Sequence, residues 1–302
     1  MSEARDRCHS HGAEIGDLGV ALLVVALGSA CGDDATTASG TGTGSTTGST
    51  TSSTSTESTS AQASSSSTTG STTESTGCWR DIDGDLVVRA DSVLDELRDI
   101  KSVTGRVLVM LEGQPQEDLS FLECLESADS LDFGESTYLR TTAGMTRLNS
   151  LGSIRGGGDG SPQVLEGFEG LTELDTISID AGHAIERIDL PTIQRLTNLW
   201  IGACDWGTES PPQPPGSLTS LGSFDSLEHL ETLSIFGNPS LTDASVLDAL
   251  IANGAPPPTG VSFMGNVSLP SDEISAKLAT LGVADYNLCG NLGDDPCICP
   301  LD

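Results

Sequence analysis

The chain has 302 residues, and its 13 Lys and Arg stand against 44 Asp and Glu, which gives a formal net charge of −31. A surface this acidic repels phosphates, so we expect no binding to nucleic acid. Leu, Ile and Val recur at regular spacing from Cys78 onward, a pattern that predicts one folded body rather than an acidic disordered chain.

The first feature in chain order is an apolar run from Leu18 to Leu27, followed by small residues and Cys31. Its length is about half of the roughly 20 residues that a helix needs to cross a bilayer, and it suits the core of a signal peptide. The segment resembles the leader of bacterial lipoproteins. That resemblance implies that residues 1–30 are a signal peptide and that Cys31 is the acylated first residue. An ordinary secretory leader, with Cys31 left as a thiol, is the alternative.

Residues 31–77 are rich in Ser, Thr and Gly. Between Ala35 and Thr76 the only charges are Glu57 and Glu74, and there is no aromatic residue, Leu, Ile or Val. Nothing in this segment could offset the entropy lost on ordering, so we expect a disordered stalk. Together with a lipid on Cys31, the stalk predicts a domain tethered to the bacterial cell envelope, at the outer membrane or cell surface.

A repeated template organises the rest of the chain. The segments "LEGFEGLTELDTISI" from Leu165 and "LGSFDSLEHLETLSI" from Leu221 align without a gap, and copies begin again at Leu119 and Leu190. Each copy has an apolar residue at every third position and closes with an apolar, polar, apolar triplet. Repeats of this length are typical of the coils of a solenoid.

The residues after the triplet indicate the kind of solenoid. The stretch "LEHLETLSIFGNPSL" has the leucine-rich-repeat spacing, at Leu230, Leu233, Ile235, Asn238 and Leu241. An inward Asn at such a bend hydrogen-bonds the exposed backbone. The chain therefore resembles leucine-rich-repeat or receptor L-domain proteins over most of residues 80–290. The resemblance implies an α/β solenoid with one short parallel strand per coil.

Two segments near the C-terminus have helical spacing, "TDASVLDALIANG" with Asp243 as a cap and Gly254 as a stop, and "SDEISAKLATLG" ending at Gly282. They predict helices on the convex side of the last coils. We therefore place the solenoid at residues 78–288 and a Cys-rich cap at residues 289–302.

Cysteines and acidic residues give few chemical candidates. An exported protein keeps disulfides, and the candidates are Cys78, Cys124, Cys289, Cys297 and Cys299. We expect one bond inside the cap, from Cys289 to either Cys297 or Cys299. We expect no metal site, because the cysteines form no Cys-x-x-Cys pair and no His is near. The "DIDGD" stretch from Asp81 has part of a calcium-loop pattern, but we favour a turn into the first strand.

The side chains between the inward triplet positions define the outward face of the predicted sheet. Trp200, Phe236 and Met264 are expected there as an exposed apolar step, with Asp132 and Asp180 beside them. Exposed aromatic residues of this kind often mark a partner site. We therefore expect these five residues to bind a macromolecular partner, unless the insertion "DWGTESPPQPPGS" covers Trp200.

The sequence offers no catalytic motif: there is no Gly-x-Ser-x-Gly, no His-Glu-x-x-His and no phosphate-binding Gly loop. We therefore expect no enzyme and no cofactor. The leading hypothesis is a surface lipoprotein that recognises a protein or a glycan. The alternatives are a structural envelope protein that packs through its solenoid surfaces and, third, a β-helix carbohydrate-active enzyme.

Overall fold

The computed structural model describes residues 77–134, 136–157, 160–180, 183–202 and 215–295, all within the compact unit Gly70–Asp302. Their main feature is an 11-stranded sheet in which all neighbouring strands pair in parallel. Its strands are β1 (Arg80–Ile82), β2 (Leu86–Arg89), β3 (Ile100–Val103), β4 (Arg106–Met110), β5 (Ser127–Phe133), β6 (Ser150–Gly156), β8 (Glu173–Ile179), β10 (Arg195–Ile201), β11 (His229–Phe236), β12 (Gly260–Met264) and β13 (Asn287–Cys289). Strands β7 (Val164–Leu165) and β9 (Arg187–Ile188) form a second, two-stranded parallel sheet.

Strand order follows chain order from β5 to β13 in the main sheet, β5-β6-β8-β10-β11-β12-β13. At the N-terminal side β1 pairs with β3 and β2 pairs with β4, and both β3 and β4 pair with β5. Parallel neighbours need a return segment that brings the chain back to the same end of the sheet. The β7–β9 pair lies on two of these return segments. The mostly parallel sheet expected from the sequence is therefore present.

The core is built from residues that face one another across strands. Leu131, Ile154, Ile177, Leu199 and Leu233 are in register on consecutive strands, and all are buried. Every apolar position of the four template copies is buried, as predicted: Leu119, Leu122, Leu125, Ala128, Leu131 and Phe133; Leu165, Phe168, Leu171, Leu174, Ile177 and Ile179; Leu190, Ile193, Leu196, Leu199 and Ile201; Leu221, Phe224, Leu227, Leu230, Leu233 and Ile235. Each large aliphatic side chain that leaves water contributes about 1.5–3 kcal/mol, so these rows hold the strands in register.

Three buried asparagines form a ladder at the bend that follows β11, β12 and β13. The Asn238 N–H donates to Asn266 Oδ1 at 3.0 Å, and the Asn266 N–H donates to Asn291 Oδ1 at 3.1 Å. The Asn266 amide also donates to the Ile235 carbonyl at 2.9 Å, and the Asn291 amide donates to the Phe263 carbonyl at 2.8 Å. The side chains thus satisfy backbone groups of the neighbouring bend, which would otherwise be buried without partners.

A glycine precedes each ladder asparagine and allows the bend. Gly237, Gly265 and Gly290 have φ of 64°, 71° and 64°, values that L side chains rarely adopt. The sequence predicted the first two Gly–Asn bends. It missed the third, because residues from Cys289 onward were assigned to a cap.

The assignment of Cys289 to a cap is wrong. Cys289 is the last residue of β13 and lies opposite Met264, and Leu288 lies opposite Phe263. The ladder therefore continues through Asn291. The sequence did not predict this strand, because the segment "YNLCGN" is short and polar and only Leu288 in it carries a large aliphatic side chain.

Two α-helices lie among the described residues, α1 (Ser245–Ala252) and α2 (Ser271–Leu281), and both match the predicted segments. Asp243 supports the start of α1, because its Oδ1 accepts a hydrogen bond from the Ser245 N–H at 3.2 Å. Gly282 ends α2 in the left-handed conformation, with φ of 78°. Within the described part of the chain, neither helix is long and apolar enough to cross a membrane.

A disulfide joins Cys78 to Cys124, two of the predicted candidates, over a sequence separation of 46. Cys289 is disulfide-bonded as well, as expected. Its expected partners, Cys297 and Cys299, lie outside the described residues, as do the predicted signal peptide, Cys31 and all of the predicted stalk except Gly77.

The asparagine ladder yields a stability prediction. Asn266→Ala removes the acceptor of the Asn238 N–H and the donor to the Ile235 carbonyl, and leaves both groups buried. Each unsatisfied group costs about 1–3 kcal/mol, so we expect a loss of roughly 2–5 kcal/mol in the free energy of unfolding, measured by denaturant titration.

Asn149→Ala is the control, because the Asn149 side chain is exposed and makes only a local bond to the Arg147 carbonyl. The control should change stability by less than about 0.5 kcal/mol. Equal effects of the two substitutions would contradict the role of the ladder.

Candidate functional site

One row of side chains crosses the outer face of the main sheet, the face opposite the core. Strand alternation turns these residues away from the buried rows. In register from β4 to β12 they are Leu108, Asp132, Arg155, Ser178, Trp200, Ser234 and Ser262. The sequence predicted Asp132 and Trp200 on this face, and the structure brings both onto one row, with Arg155 and Ser178 on the two strands between them.

A cleft of about 580 Å³ opens on this face across β5, β6 and β8. Its lining residues are Leu108, Asp132, Phe133, Arg155, Gly156, Gly157, Thr176, Ser178 and Asp180. Two carboxylates, one guanidinium and two hydroxyls therefore face a single depression, which we call the cleft. Asp132 and Asp180, both predicted site residues, lie in it. Arg155 and Thr176 are not distinctive in the sequence, because neither interrupts the repeat pattern.

The Asp132 carboxylate is largely buried at the cleft. Its side chain is only 15% exposed, and its Oδ2 lies 3.6 Å from Arg106 Nη1. The other oxygen, Oδ1, is buried and has no hydrogen-bond partner among the described residues. Arg106 is shared with Asp85, whose Oδ2 lies 3.2 Å from Arg106 Nη2. Asp180, whose side chain is exposed, is therefore the cleft carboxylate that a ligand reaches directly.

Asp180 lies at the end of β8 beside Gly157. A Cβ atom added at Gly157 would lie 2.7 Å from the Asp180 Cβ, so only glycine leaves room for this carboxylate at the adjacent strand. The Asp180 N–H donates to the Gly156 carbonyl at 2.8 Å, which fixes the backbone, while the side chain is exposed. The missing side chain of Gly157 thus opens the cleft and positions Asp180.

Trp200 lies next to the cleft, directly opposite Ser178. Its indole N–H donates to the Gly202 carbonyl at 2.9 Å, and its ring centroid is 5.0 Å from that of Phe236 with the planes at 58°. These two contacts fix the ring, yet 42% of the residue remains exposed. Because the N–H is used internally, the exposed part of the ring is an apolar surface.

The expected exposure of Phe236 and Met264 is wrong. Phe236 is 7% and Met264 6% exposed, and the two form a small apolar cluster with Cys289, separate from the main core. They do lie on the outer face, but they are neighbours in register and cover each other, and Trp200 packs against Phe236. The exposed apolar surface here is therefore the Trp200 ring, which packs against the buried Phe236 ring.

A line of hydrogen-bonded hydroxyl and amide side chains reaches the cleft at Thr176. Thr232 Oγ1 donates to Asn198 Oδ1 at 2.6 Å, and Asn198 Nδ2 donates to Thr176 Oγ1 at 3.3 Å. This line crosses β11, β10 and β8. It holds Thr176, which lines the cleft, through contacts with its neighbours.

The "DIDGD" stretch forms a turn, as predicted, but the turn lies between β1 and β2 rather than before the first strand. Asp81 Oδ1 accepts a hydrogen bond from the Ser102 hydroxyl, and Asp83 Oδ1 accepts one from the Thr104 hydroxyl. The Arg106 N–H donates to Asp85 Oδ1 at 2.9 Å, and this bond lowers the pKa of Asp85. Among the described residues no group of three or more His, Cys, Asp or Glu is arranged to hold a metal ion.

His183 is buried away from the cleft, against the first member of the asparagine ladder. A Cβ atom at Gly216 would lie 2.1 Å from Asn238 Oδ1 and 2.5 Å from His183 Nε2, so these two side chains meet around a glycine. Burial lowers the pKa of His183 to about 4, and weak contacts with the Ile185 backbone and Asn238 offset this only in part. Neither ring nitrogen has a hydrogen-bond partner of good geometry among the described residues.

Comparisons of the chain with protein-family models, with curated proteins and with solved structures find no match.

The pKa of His183 predicts a pH dependence of stability. The unfolded chain binds a proton at His183 near pH 6.5, whereas the folded chain binds it only near pH 4. Above pH 6.5 the ring is neutral in both states, and the folded state has its full stability. As the pH falls from 6.5 towards 4, the unfolded chain gains the proton first, so the free energy of unfolding decreases. The gap between the two pKa values corresponds to roughly 3 kcal/mol.

We expect His183→Gln to flatten the loss of stability between pH 6.5 and pH 4, relative to the unsubstituted chain, in denaturant titrations across this range. The carboxylates titrate in both proteins, so the difference between them isolates His183. Parallel pH profiles of the two proteins would contradict the buried, neutral state of this side chain.

Proposed function

We propose that the chain is an envelope-anchored recognition lipoprotein that binds a macromolecular partner through the outer face of its sheet, without chemistry of its own. The observation that carries the proposal is the fixed, exposed Trp200 beside a cleft lined by Asp132, Arg155 and Asp180. A rigid aromatic surface next to a few polar and charged groups is a common composition of a binding site.

We further propose that the sheet belongs to a leucine-rich-repeat or receptor L-domain-like solenoid. Three features support this assignment. Successive strands pair in parallel with equivalent residues 22 to 34 apart, as Thr176, Asn198 and Thr232 illustrate. Buried asparagines recur at the bend after each of the last three strands, and α1 and α2 follow β11 and β12 on the return segments. A solenoid of this kind presents one continuous sheet face for binding.

The anchor is proposed from the sequence. A diacylated or triacylated Cys31 would hold the protein firmly, because each buried CH₂ contributes about 0.8 kcal/mol and two or more chains exceed the marginal binding of one. The Ser/Thr/Gly-rich segment after it would set the recognition domain away from the membrane.

Lipidation of Cys31 is tested by mass spectrometry of the mature amino terminus from envelope fractions. We expect cleavage before Cys31 and a mass increase that corresponds to a diacylglycerol and an amide-linked acyl chain. An unmodified cysteine, or an intact leader, would contradict the anchor.

Recognition is tested by comparing two substitutions in the full chain. Ile235→Ala removes a fully buried side chain, so we expect a loss of about 2–5 kcal/mol in the free energy of unfolding. Trp200→Ala removes an exposed ring and its contact with Phe236, so stability should fall by no more than about 1–2 kcal/mol. Partner binding in pull-downs from envelope extracts should be lost with Trp200→Ala.

Trp79→Ala is the matched control, because Trp79 is also exposed but lies before β1, away from the cleft. It should retain the partner. Retention of the partner by Trp200→Ala would place the binding surface elsewhere. If the protein retains no partner and instead self-associates in sedimentation experiments, the structural envelope role replaces recognition.

A further inference from the structure

The cleft and Trp200 define the chemistry of the partner. Resting on the recognition function proposed above, we infer that the ligand of this surface is a neutral oligosaccharide chain, bound with one sugar ring against Trp200 and the neighbouring rings in the cleft.

The first argument is the mixture of hydrogen-bonding groups. Asp132 and Asp180 only accept, Arg155 only donates, and the hydroxyls of Thr176 and Ser178 do both. Each sugar hydroxyl is both donor and acceptor and can pair with any of these groups. Asp180 is exposed and is the cleft acceptor that a sugar hydroxyl reaches directly.

The second argument is the state of the Trp200 ring. The indole N–H already donates to the Gly202 carbonyl, so the ring offers a ligand only its apolar surface. The C–H face of a sugar ring is apolar and flat enough to cover such a surface. The ring is fixed by Phe236, so its binding costs little side-chain entropy.

Charge argues against an anionic ligand. The formal net charge of −31 repels anionic glycans. A basic peptide is the competing ligand for an exposed Trp through cation–π contact, and the two cleft carboxylates attract it. The exposed Arg155 lies between Asp132 and Ser178 in the register row, forms no ion pair with another described residue and opposes a cation placed directly over it. A neutral chain needs no such compensation, and a cationic probe in the test decides between the two.

The length of the surface argues for several sugar rings. Asp132, Arg155, Ser178 and Trp200 lie on four adjacent strands in one register row. Adjacent strands are about 4.8 Å apart, so the row spans roughly 14 Å, which suits a short chain better than a single sugar.

Isothermal titration of the full chain tests this inference with a panel of neutral hexasaccharides: a β-1,4-glucan, a β-1,3-glucan, an α-mannan and an N-acetylglucosamine oligomer. An oligogalacturonate and hexalysine serve as the anionic and cationic probes. We expect at least one neutral probe to bind, with little change on raising the salt concentration, and neither charged probe to bind more tightly.

Two variants and two matched controls locate the binding. Trp200→Ala and Asp180→Asn should each weaken the neutral probe by about tenfold or more. Trp79→Ala and Glu231→Gln, the latter at an exposed acid on β11 that does not line the cleft, should leave the affinity for the neutral probe unchanged. Circular dichroism and thermal unfolding confirm that the variants are folded.

The outcomes separate this inference from the proposed function. If no neutral probe binds, if a charged probe binds more tightly, or if Trp200→Ala binds the neutral probe as well as the unsubstituted chain does, the inference is wrong. The proposed recognition function still holds if a partner from the envelope extract binds the chain and this binding depends on Trp200. In that case, protease treatment of the extract should abolish the binding, and periodate oxidation of the extract should not. If neither a probe nor an envelope partner binds, both proposals fail.

Discussion

Ile177, Leu199, Leu233 and Val261 lie opposite one another on four adjacent parallel strands, with their side chains buried in the core. A slip of one residue between any two of these strands would turn an aliphatic side chain to solvent on one strand and a polar one into the core on the other. Burial of about 1.5–3 kcal/mol per side chain opposes such a slip. The same register places Arg155, Ser178 and Trp200 in one row on the outer face, so the cleft depends on the packing beneath it.

The bends at the ends of the strands are the second requirement of this arrangement. The Gly–Asn pairs after β11, β12 and β13 turn the backbone out of the sheet, and Asn266 connects the bends on either side of it. Phe236 and Met264 are the last residues of β11 and β12, and Asp180 follows β8 at the same edge of the parallel sheet. The ladder therefore stabilises the end of the sheet where the outer-face groups meet, and His183 packs against its first asparagine.

The sequence predicted the core better than the surface, and the reason is physical. Burial repeats from strand to strand, so a threefold apolar spacing identifies residues such as Phe224 and Ile193 without any knowledge of their neighbours. Exposure does not repeat in this way. Phe236 and Met264 follow the outward alternation, but they are covered because large side chains happen to be adjacent in register.

The sequence also did not predict the short strand at the C-terminal end of the sheet or the cleft. Strand β13 has three residues and was read as part of a cap, because its place in the sheet depends on pairing with β12 rather than on its own composition. The cleft also depends on a missing side chain, because a Cβ atom at Gly157 would lie 2.7 Å from the Asp180 Cβ. Nothing in the repeat pattern distinguishes this glycine from glycines that only turn the chain.

Hydroxyl-radical footprinting of the protein, alone and with its bound partner, tests most directly whether the outer face is the recognition surface. Trp200 and Trp79 are both exposed and reactive in the free protein, so each serves as a reference for the other. If the partner binds at the cleft, oxidation of Trp200 falls in the complex, while oxidation of Trp79 and of the exposed Tyr286 is unchanged. Unchanged oxidation of Trp200, with protection of Trp79 or Tyr286, would contradict this account.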